Sequence, residues 1–145
     1  MPERRWEETI DVKAPADKIW GMVADFKRHS EFSGHGLQAE QTTDGPAGVG
    51  TTYATTAKQF GTQKESSTIT AMDAPKQFEW DSKGALGTVH HWIALSSAGD
   101  VTTIRKGAEI TQPTLLAKMT GRRIAKDLPK GLRENLEKIK EKMES

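Results

Sequence analysis

The chain of 145 residues contains no cysteine, which excludes disulfide bonds, thiol catalysis and zinc sites built from thiolates. It has no apolar run long enough to cross a membrane, and its charged N-terminal stretch lacks the apolar segment of a signal peptide. Net charge is also scarce, because 21 basic residues almost balance 20 acidic ones and leave a formal charge of +1. We therefore expect a cytoplasmic protein with no transmembrane segment and no nucleic-acid partner.

The motifs of nucleotide-binding and hydrolytic enzymes are missing as well. Residues 45–50 are rich in glycine, but not at the spacing of a dinucleotide-binding or P-loop motif, and they lie between predicted strands. The sequence contains no Gly-x-Ser-x-Gly nucleophile motif. His90 and His91 are adjacent on a predicted strand, so their side chains point to opposite faces and cannot share one metal ion. We expect neither a metal nor a cofactor.

The C-terminal stretch carries the clearest helical pattern. Apolar residues recur there at steps of four, four, three and four, which places them on one helix face: Leu128, Leu132, Leu136, Ile139 and Met143. Residues 115–125 also favour a helix, with a looser apolar stripe that includes Gly121. Pro129 lies between the two halves and removes one backbone donor. We therefore predict either one long helix bent near Leu128 or two helices in line.

Upstream of this helix, apolar and polar residues alternate as they do in half-buried strands. The first predicted strand, Trp6–Val12, is followed by a short helix after Pro15 and then by a second short helix or turn. Six further strands are separated by turn residues, and we predict them near Leu37–Thr43, Thr51–Lys58, Lys64–Met72, Gln77–Ser82, Thr88–Ser97 and Val101–Ile110. The predicted fold is α+β, a single domain over residues 1–145 with helices on one side of a curved antiparallel sheet.

Several short motifs occur in a recognisable order: Ile10–Pro15 leading into Ile19-Trp20, Asp73-Ala-Pro75, the strand Val89–Leu95, and residues 131–140 of the C-terminal helix. With them the chain resembles the START/Bet v1-like helix-grip superfamily (SRPBCC) and, within it, the polyketide cyclase/dehydrase and lipid-transport group. The resemblance implies a seven-stranded antiparallel sheet curled around a long C-terminal helix, two short helices after strand 1, and a cavity between sheet and helix. Members of the superfamily are carriers, cyclases and chaperone regulators, so the fold does not specify one function.

The sixth predicted strand supplies the first candidate site residue. Ile93 and Leu95 are apolar and share the parity of His91, so His91 is predicted to face the interior and His90 the outside. The favoured interpretation of His91 is a hydrogen-bonded interior histidine. The alternative is an acid/base group that faces a ligand.

Two other polar residues are candidates for chemistry. Tyr53 is the one tyrosine of the chain, and it either directs its hydroxyl into a pocket or packs at a strand edge. On the last strand, Val101 and Ile104 have opposite parity, so the pattern leaves open whether Arg105 or Lys106 faces inward. An inward arginine would need a partner or an anionic ligand, because an unpaired buried charge is costly. The catalytic candidates are His91, Tyr53 and Arg105.

Three functions are compatible with these residues. The favoured one is binding of a small hydrophobic or amphipathic molecule, lipid- or polyketide-like, in a cavity between the sheet and residues 115–125, where small residues leave space beside larger ones. The ligand-binding candidates are Trp20, Tyr53, His91, Ile93, Leu116, Met119 and Gly121. The expected partner is thus a small hydrophobic ligand, and we expect the protein to be a monomer or a weak homodimer.

The two alternatives use different parts of the molecule. A polyketide cyclase/dehydrase-type enzyme would require an acid/base pair inside the cavity. A protein-interaction domain similar to chaperone regulators would use an outer patch near Trp92 or the basic face of the C-terminal helix.

Overall fold

Seven antiparallel strands form one sheet in the part of the chain that the computed structural model describes, residues 4–33, 37–58 and 62–145. The strands are β1 Arg5–Val12, β2 Gln38–Gln41, β3 Thr52–Lys58, β4 Thr62–Asp73, β5 Gln77–Gly84, β6 Gly87–Ala98 and β7 Val101–Pro113. From β2 to β7 each strand pairs with the next, and β1 pairs with β7, which gives the order β1-β7-β6-β5-β4-β3-β2. The predicted antiparallel meander is confirmed.

Short turns make this meander possible. Gly99 lies in the turn from β6 to β7 with φ of +66°, and Gly87 begins β6 with φ of +100°. A side chain at Gly87 would also overlap the carbonyl oxygen of Gln112 on the neighbouring strand. Only glycine fits there, since the backbone conformation and the close approach both exclude a Cβ atom.

Helices cover one face of the sheet. Helix α1 (Ala16–Val23) and a 3₁₀ helix (Phe26–Glu31) follow β1, and helices α2 (Leu115–Met119) and α3 (Gly121–Glu144) follow β7. This arrangement is the helix-grip fold that the sequence predicts. Within the described residues, no helix has both the length and the apolar character that a bilayer-spanning helix requires.

The core lies between the inner face of the sheet and α3. Leu132, Leu136, Ile139 and Met143 are all buried, whereas Leu128 is half-buried at the edge of a smaller apolar cluster. The larger cluster joins the C-terminal part of α3 to residues of α1, the 3₁₀ helix and the central strands. The predicted apolar stripe of the C-terminal helix therefore faces the sheet.

The predicted break at Pro129 is wrong in position. Helix α3 runs through Pro129 without interruption, and the two helices separate at Thr120, whose φ and ψ of −105° and 18° are not helical. The Thr120 hydroxyl donates to the Leu116 carbonyl oxygen at 2.8 Å and ends α2 locally. Burial of Ile124 and Leu132 on either side of the proline holds α3 together, because tertiary packing outweighs the propensity of one residue.

The 3₁₀ helix brings two aromatic rings over the sheet. Asp25 caps its N-terminus by accepting a hydrogen bond from the Lys27 backbone N–H at 3.1 Å. Phe26 and His29 are then buried on the side that faces the strands. This short helix thus forms one boundary of the site described below.

Candidate functional site

A cavity of about 230 Å³ lies between the inner face of the sheet, the 3₁₀ helix and the middle of α3. The sheet contributes residues of β3 to β7, the 3₁₀ helix contributes Phe26 and His29, and α3 contributes its residues between Gly131 and Lys138. Apolar rings and polar groups both line the space. A site of mixed polarity of this kind suits a small molecule that has an apolar body and a polar end.

A row of three hydroxyls crosses the sheet side of the cavity. Ser67 on β4 and Ser82 on β5 are paired residues, and their hydroxyl oxygens are 3.0 Å apart. Thr55 on β3 continues the row, with its hydroxyl 3.5 Å from that of Ser67, and donates to the Glu65 carbonyl oxygen at 3.1 Å. These side chains point inward because each occupies a strand position that alternates onto the same face of the sheet as the core residues. The row provides hydrogen-bond donors and acceptors on the sheet side of the cavity.

Aromatic rings form the second part of the lining. Trp80 on β5 stacks on His91 on β6 with ring centroids 4.9 Å apart and an angle of 9° between the planes. The His29 ring contacts the same tryptophan edge-on at 5.0 Å. Nε2 of His29 lies 2.7 Å from the Val23 carbonyl oxygen, to which it donates. His29 is therefore held in one orientation by the end of α1, and the stacked pair Trp80–His91 is held by the sheet.

His91 faces the cavity and makes no hydrogen bond with any residue of the described ranges. Burial lowers the pKa of His91 to about 3, and the nearby Lys106 charge adds to the effect. The ring is therefore neutral at physiological pH. A neutral imidazole carries one donor and one acceptor nitrogen, so His91 can offer either to a ligand. The favoured interpretation, a histidine that is hydrogen-bonded in the interior, does not describe its environment.

Lys106 on β7 is the one cation deep in this lining. Its side chain is only 5% exposed, and no acidic group of the described residues lies within ion-pair distance of its Nζ. Nζ lies 5.9 Å from the centroid of the Trp80 ring, at the outer limit of a cation–π contact. Burial lowers the pKa of Lys106 to about 8. The lysine remains mostly protonated at neutral pH, and its ammonium has access to the cavity.

Helix α3 leaves space over the cavity at Gly131. A Cβ atom built on this residue would meet nothing within 4 Å, although Gly131 lines the cavity. One turn on, the Asn135 amide, in the orientation that satisfies its neighbours, donates to the Phe32 carbonyl oxygen at 3.0 Å. That contact ties α3 to the end of the 3₁₀ helix. The glycine thus marks where a larger side chain would enter the cavity.

The structure brings only one of the predicted site residues, His91, into the cavity lining. Tyr53 and Ile93 are buried in the core beside it; the Tyr53 ring stacks on Phe26 at 4.7 Å. Trp20 is half-buried and packs edge-on against Phe78. Arg105 is exposed on the outer face of the sheet, because Lys106 has the inward parity.

The predicted location of the cavity, over residues 115–125, differs from that of the space described here. Leu116 and Met119 are 50% and 75% exposed, and Gly121 begins α3 away from the cavity lining. Beneath α2, side chains fill the space, since Ala117 packs fully buried into the smaller apolar cluster with Ile110. The space lies instead below Gly131, which the apolar stripe did not single out.

Residues that the sequence did not single out make up most of the site. Trp80 and Ser82 alternate with outward residues on β5, so strand parity alone was a signal that could have found them. Lys106 could not be found in this way, because the parity of its strand was ambiguous.

On the opposite face of the sheet, Trp92 and His90 belong to a packed polar cluster. Trp92 is 7% exposed, covers Gly107, and donates from Nε1 to Glu7 at 2.7 Å. The His90 ring lies between two carboxylates, 2.6 Å from Asp81 and 2.7 Å from Glu79. Burial opposes the charged form of His90, but these two hydrogen bonds outweigh it and raise its pKa. The expected outer patch near Trp92 is therefore not an exposed apolar surface.

A family model described as polyketide cyclase / dehydrase and lipid transport matches residues 3–144. The chain belongs to this family. The predicted resemblance is confirmed, and the match covers the sheet, the short helices and α3 together.

Solved structures support the same fold. DynU16, from the dynemicin biosynthetic locus, matches 99% of this chain with a TM-score of 0.70 and 15% identity. StfQ, a di-domain ARO/CYC from the steffimycin biosynthetic pathway, matches 96% with a TM-score of 0.70 and 16% identity. Ara h 8.0201 matches over 96% of both chains, with a TM-score of 0.70 and 18% identity.

The first two structures are longer proteins, and this chain spans 48% of DynU16 and 44% of StfQ. At these identities the likeness shows the fold alone. No curated protein sequence matches the chain.

Proposed function

We propose that this protein binds a small amphipathic molecule in the cavity between the sheet and α3. The observation that carries the proposal is the cavity itself, about 230 Å³ of space bounded by rigid strands on one side and by Gly131 on the other. Its volume is below the usual range of drug-sized sites, roughly 300–1,000 Å³, so the ligand is compact. Family membership supports the same class of function. We further expect the protein to act in the cytoplasm as a monomer or weak homodimer.

The apolar part of the ligand would lie against Phe26 and Trp80, whose rings face the cavity. Its polar part would lie against the hydroxyl row and the two basic residues, His91 and Lys106. The strands fix these groups before any ligand arrives, because the stacked Trp80–His91 pair and the Ser67–Ser82 pair are neighbours in the sheet. A preformed site loses little conformational freedom on binding, which favours affinity.

A cyclase/dehydrase-type reaction is a second candidate. StfQ is named as an ARO/CYC, and Lys106 is a group of this cavity whose pKa, about 8, lies near neutral pH. A proton-transfer group works best when its pKa is near the working pH. His91 is a poorer base, since its pKa is lowered to about 3. Conversion of a polyketide-like substrate that is lost in Lys106→Met would favour this candidate over simple binding.

Filling the cavity should abolish binding without unfolding the protein. In Gly131→Leu the new side chain enters the open space, and replacing glycine inside a helix stabilises it by up to about 1 kcal/mol. We expect Gly131→Leu to keep or raise the melting temperature and to lose the rise that a bound neutral probe, naphthamide, produces in the original protein. Thermal unfolding with and without the probe measures both effects.

Gly21→Leu is the matched control. Gly21 also lies in a helix, is exposed, and has open space around its Cα, but it does not line the cavity. It should gain similar helix stability and keep the full response to the probe. If Gly131→Leu responds to naphthamide as strongly as Gly21→Leu does, the probe binds elsewhere and the proposed site is wrong.

A further inference from the structure

The ammonium of Lys106 has no counterion among the described residues. Lys106 is only 5% exposed, and its Nζ lies over the Trp80 ring, 5.9 Å from the ring centroid. The charged groups that share the cavity are Glu65, Glu134 and Lys138, and neither glutamate lies within ion-pair distance of Nζ. The two histidines that face the lysine, His29 and His91, cannot supply a negative charge. Hence no carboxylate of the described residues pairs directly with the Lys106 ammonium.

An unpaired ammonium of this kind is costly to the folded state. A cation–π contact offsets only part of the desolvation of an ammonium group. Methionine or leucine at this position would avoid the desolvation cost. Either side chain would suit the surroundings, because the neighbouring inward residues of β7, Ile104 and Ala108, are apolar. An ammonium that reaches a cavity without a carboxylate in contact with it is the arrangement expected where a ligand brings the opposite charge.

We propose that the ligand of this cavity is a carboxylate, a compact apolar body whose carboxylate pairs with the Lys106 ammonium. This inference rests on the proposed function, because it names the chemical class of the molecule bound at the same site. His91 stands beside the lysine with no hydrogen-bond partner of its own among the described residues, so its N–H is free to donate to the second carboxylate oxygen. Ser67 and Ser82 offer further hydroxyl donors in the same lining. An ion pair formed in this low-dielectric space is stronger than one at the surface.

A matched pair of probes tests the inference. Naphthoate and naphthamide have the same shape and the same apolar body, and they differ in that naphthoate carries a negative charge at neutral pH. We expect the original protein to bind naphthoate at least about tenfold more tightly than naphthamide at pH 7, a preference of about 1.4 kcal/mol. Fluorescence or calorimetric titration of each probe gives the two dissociation constants.

Two variants locate the preference. Lys106→Met keeps the length of the side chain and removes the charge; it should reduce naphthoate affinity about tenfold or more and reduce naphthamide affinity much less, so that the preference for naphthoate is lost. Lys130→Met removes an exposed lysine of α3 that does not line the cavity, and it should leave both affinities as they are. The comparison of the two variants separates pairing at Lys106 from general attraction by the net charge.

The outcomes are distinguishable. Equal binding of both probes by the original protein, or an unchanged naphthoate preference in Lys106→Met, overturns the carboxylate inference and leaves the proposed binding function intact. Binding of neither probe contradicts the proposed function itself. The comparison of probes in the original protein requires no variant, so equal binding of the two would overturn the inference even if Lys106→Met fails to fold.

Discussion

Replacing Leu136 with alanine is expected to lower the free energy of unfolding by about 2–5 kcal/mol, the range measured for leucines in well-packed cores. Leu136 is 1% exposed and lies in the larger apolar cluster, where α3 meets the sheet and the short helices. Truncation removes apolar area from the core and leaves a cavity that the surrounding strands cannot close. Urea denaturation of the two proteins, analysed with a common slope, measures the loss.

Leu115→Ala is the control for this experiment. Leu115 is a leucine in the C-terminal helical region too, but it is 73% exposed on α2. Its substitution should change the free energy of unfolding by no more than about 0.5 kcal/mol. A loss of that small size in Leu136→Ala would show that the α3 stripe faces solvent, and the helix-grip packing would then be wrong.

Acidification is expected to destabilise the fold steeply, with His29 as a main cause. Burial lowers the pKa of His29 to about 3, whereas the unfolded chain titrates near 6.5. Between these values the unfolded state binds a proton that the folded state does not. Above pH 6.5 protonation of His29 therefore takes nothing from the free energy of unfolding. As the pH falls towards 3, the free energy of unfolding decreases by up to about 1.4 kcal/mol per pH unit. His91 acts in the same direction, but its contribution to the loss of stability is smaller because its ring has access to the cavity.

His29→Gln tests this assignment. The glutamine amide can still donate to the Val23 carbonyl oxygen, but it cannot take up a proton. We expect the plot of unfolding free energy against pH to be flatter in His29→Gln between pH 4 and 6, whatever the stability of the variant at neutral pH. Chemical denaturation at several pH values gives this slope.

His90→Gln provides the comparison. The pKa of His90 is raised, so its stabilising contribution is present below pH 6.5 and is lost only as the pH rises through the folded-state pKa. Its removal should leave the slope between pH 4 and 6 unchanged. If His29→Gln and His90→Gln have the same acid slope as the original protein, buried His29 does not control acid unfolding.

The fold could be predicted largely from local patterns. The stripe from Leu132 to Met143 has helical spacing, and the strands carry alternation with turn residues between them, so each element is encoded within a dozen neighbouring positions. Because the turns are short, consecutive strands pair with each other in antiparallel orientation, which gives a meander. The break between α2 and α3 was placed wrongly, because Pro129 is a strong local signal whose cost the packing of α3 overrides.

The site was less predictable because it depends on which side of each strand meets the core. On β7 the parity was ambiguous since Thr102, a polar residue, is fully buried and donates to the Ala14 carbonyl oxygen at 2.8 Å. Ala14 is 88 residues away in sequence, so no local pattern reports this hydrogen bond. With Thr102 inside, Lys106 must also face inward, and Arg105 must face the solvent.

By itself, then, the sequence determined the elements of this protein, their antiparallel order, its family and the inward parity of the strand that bears His91. Only the tertiary structure decided where the empty space lies and which cation enters it. The reason is physical: periodicity reports which face of an element is apolar, whereas a cavity is the volume that several elements together fail to fill. Here Ala117 of α2 is fully buried and packs closely against the sheet. Helix α3 leaves a gap at Gly131, where Lys106, His91 and the hydroxyl row line the same cavity.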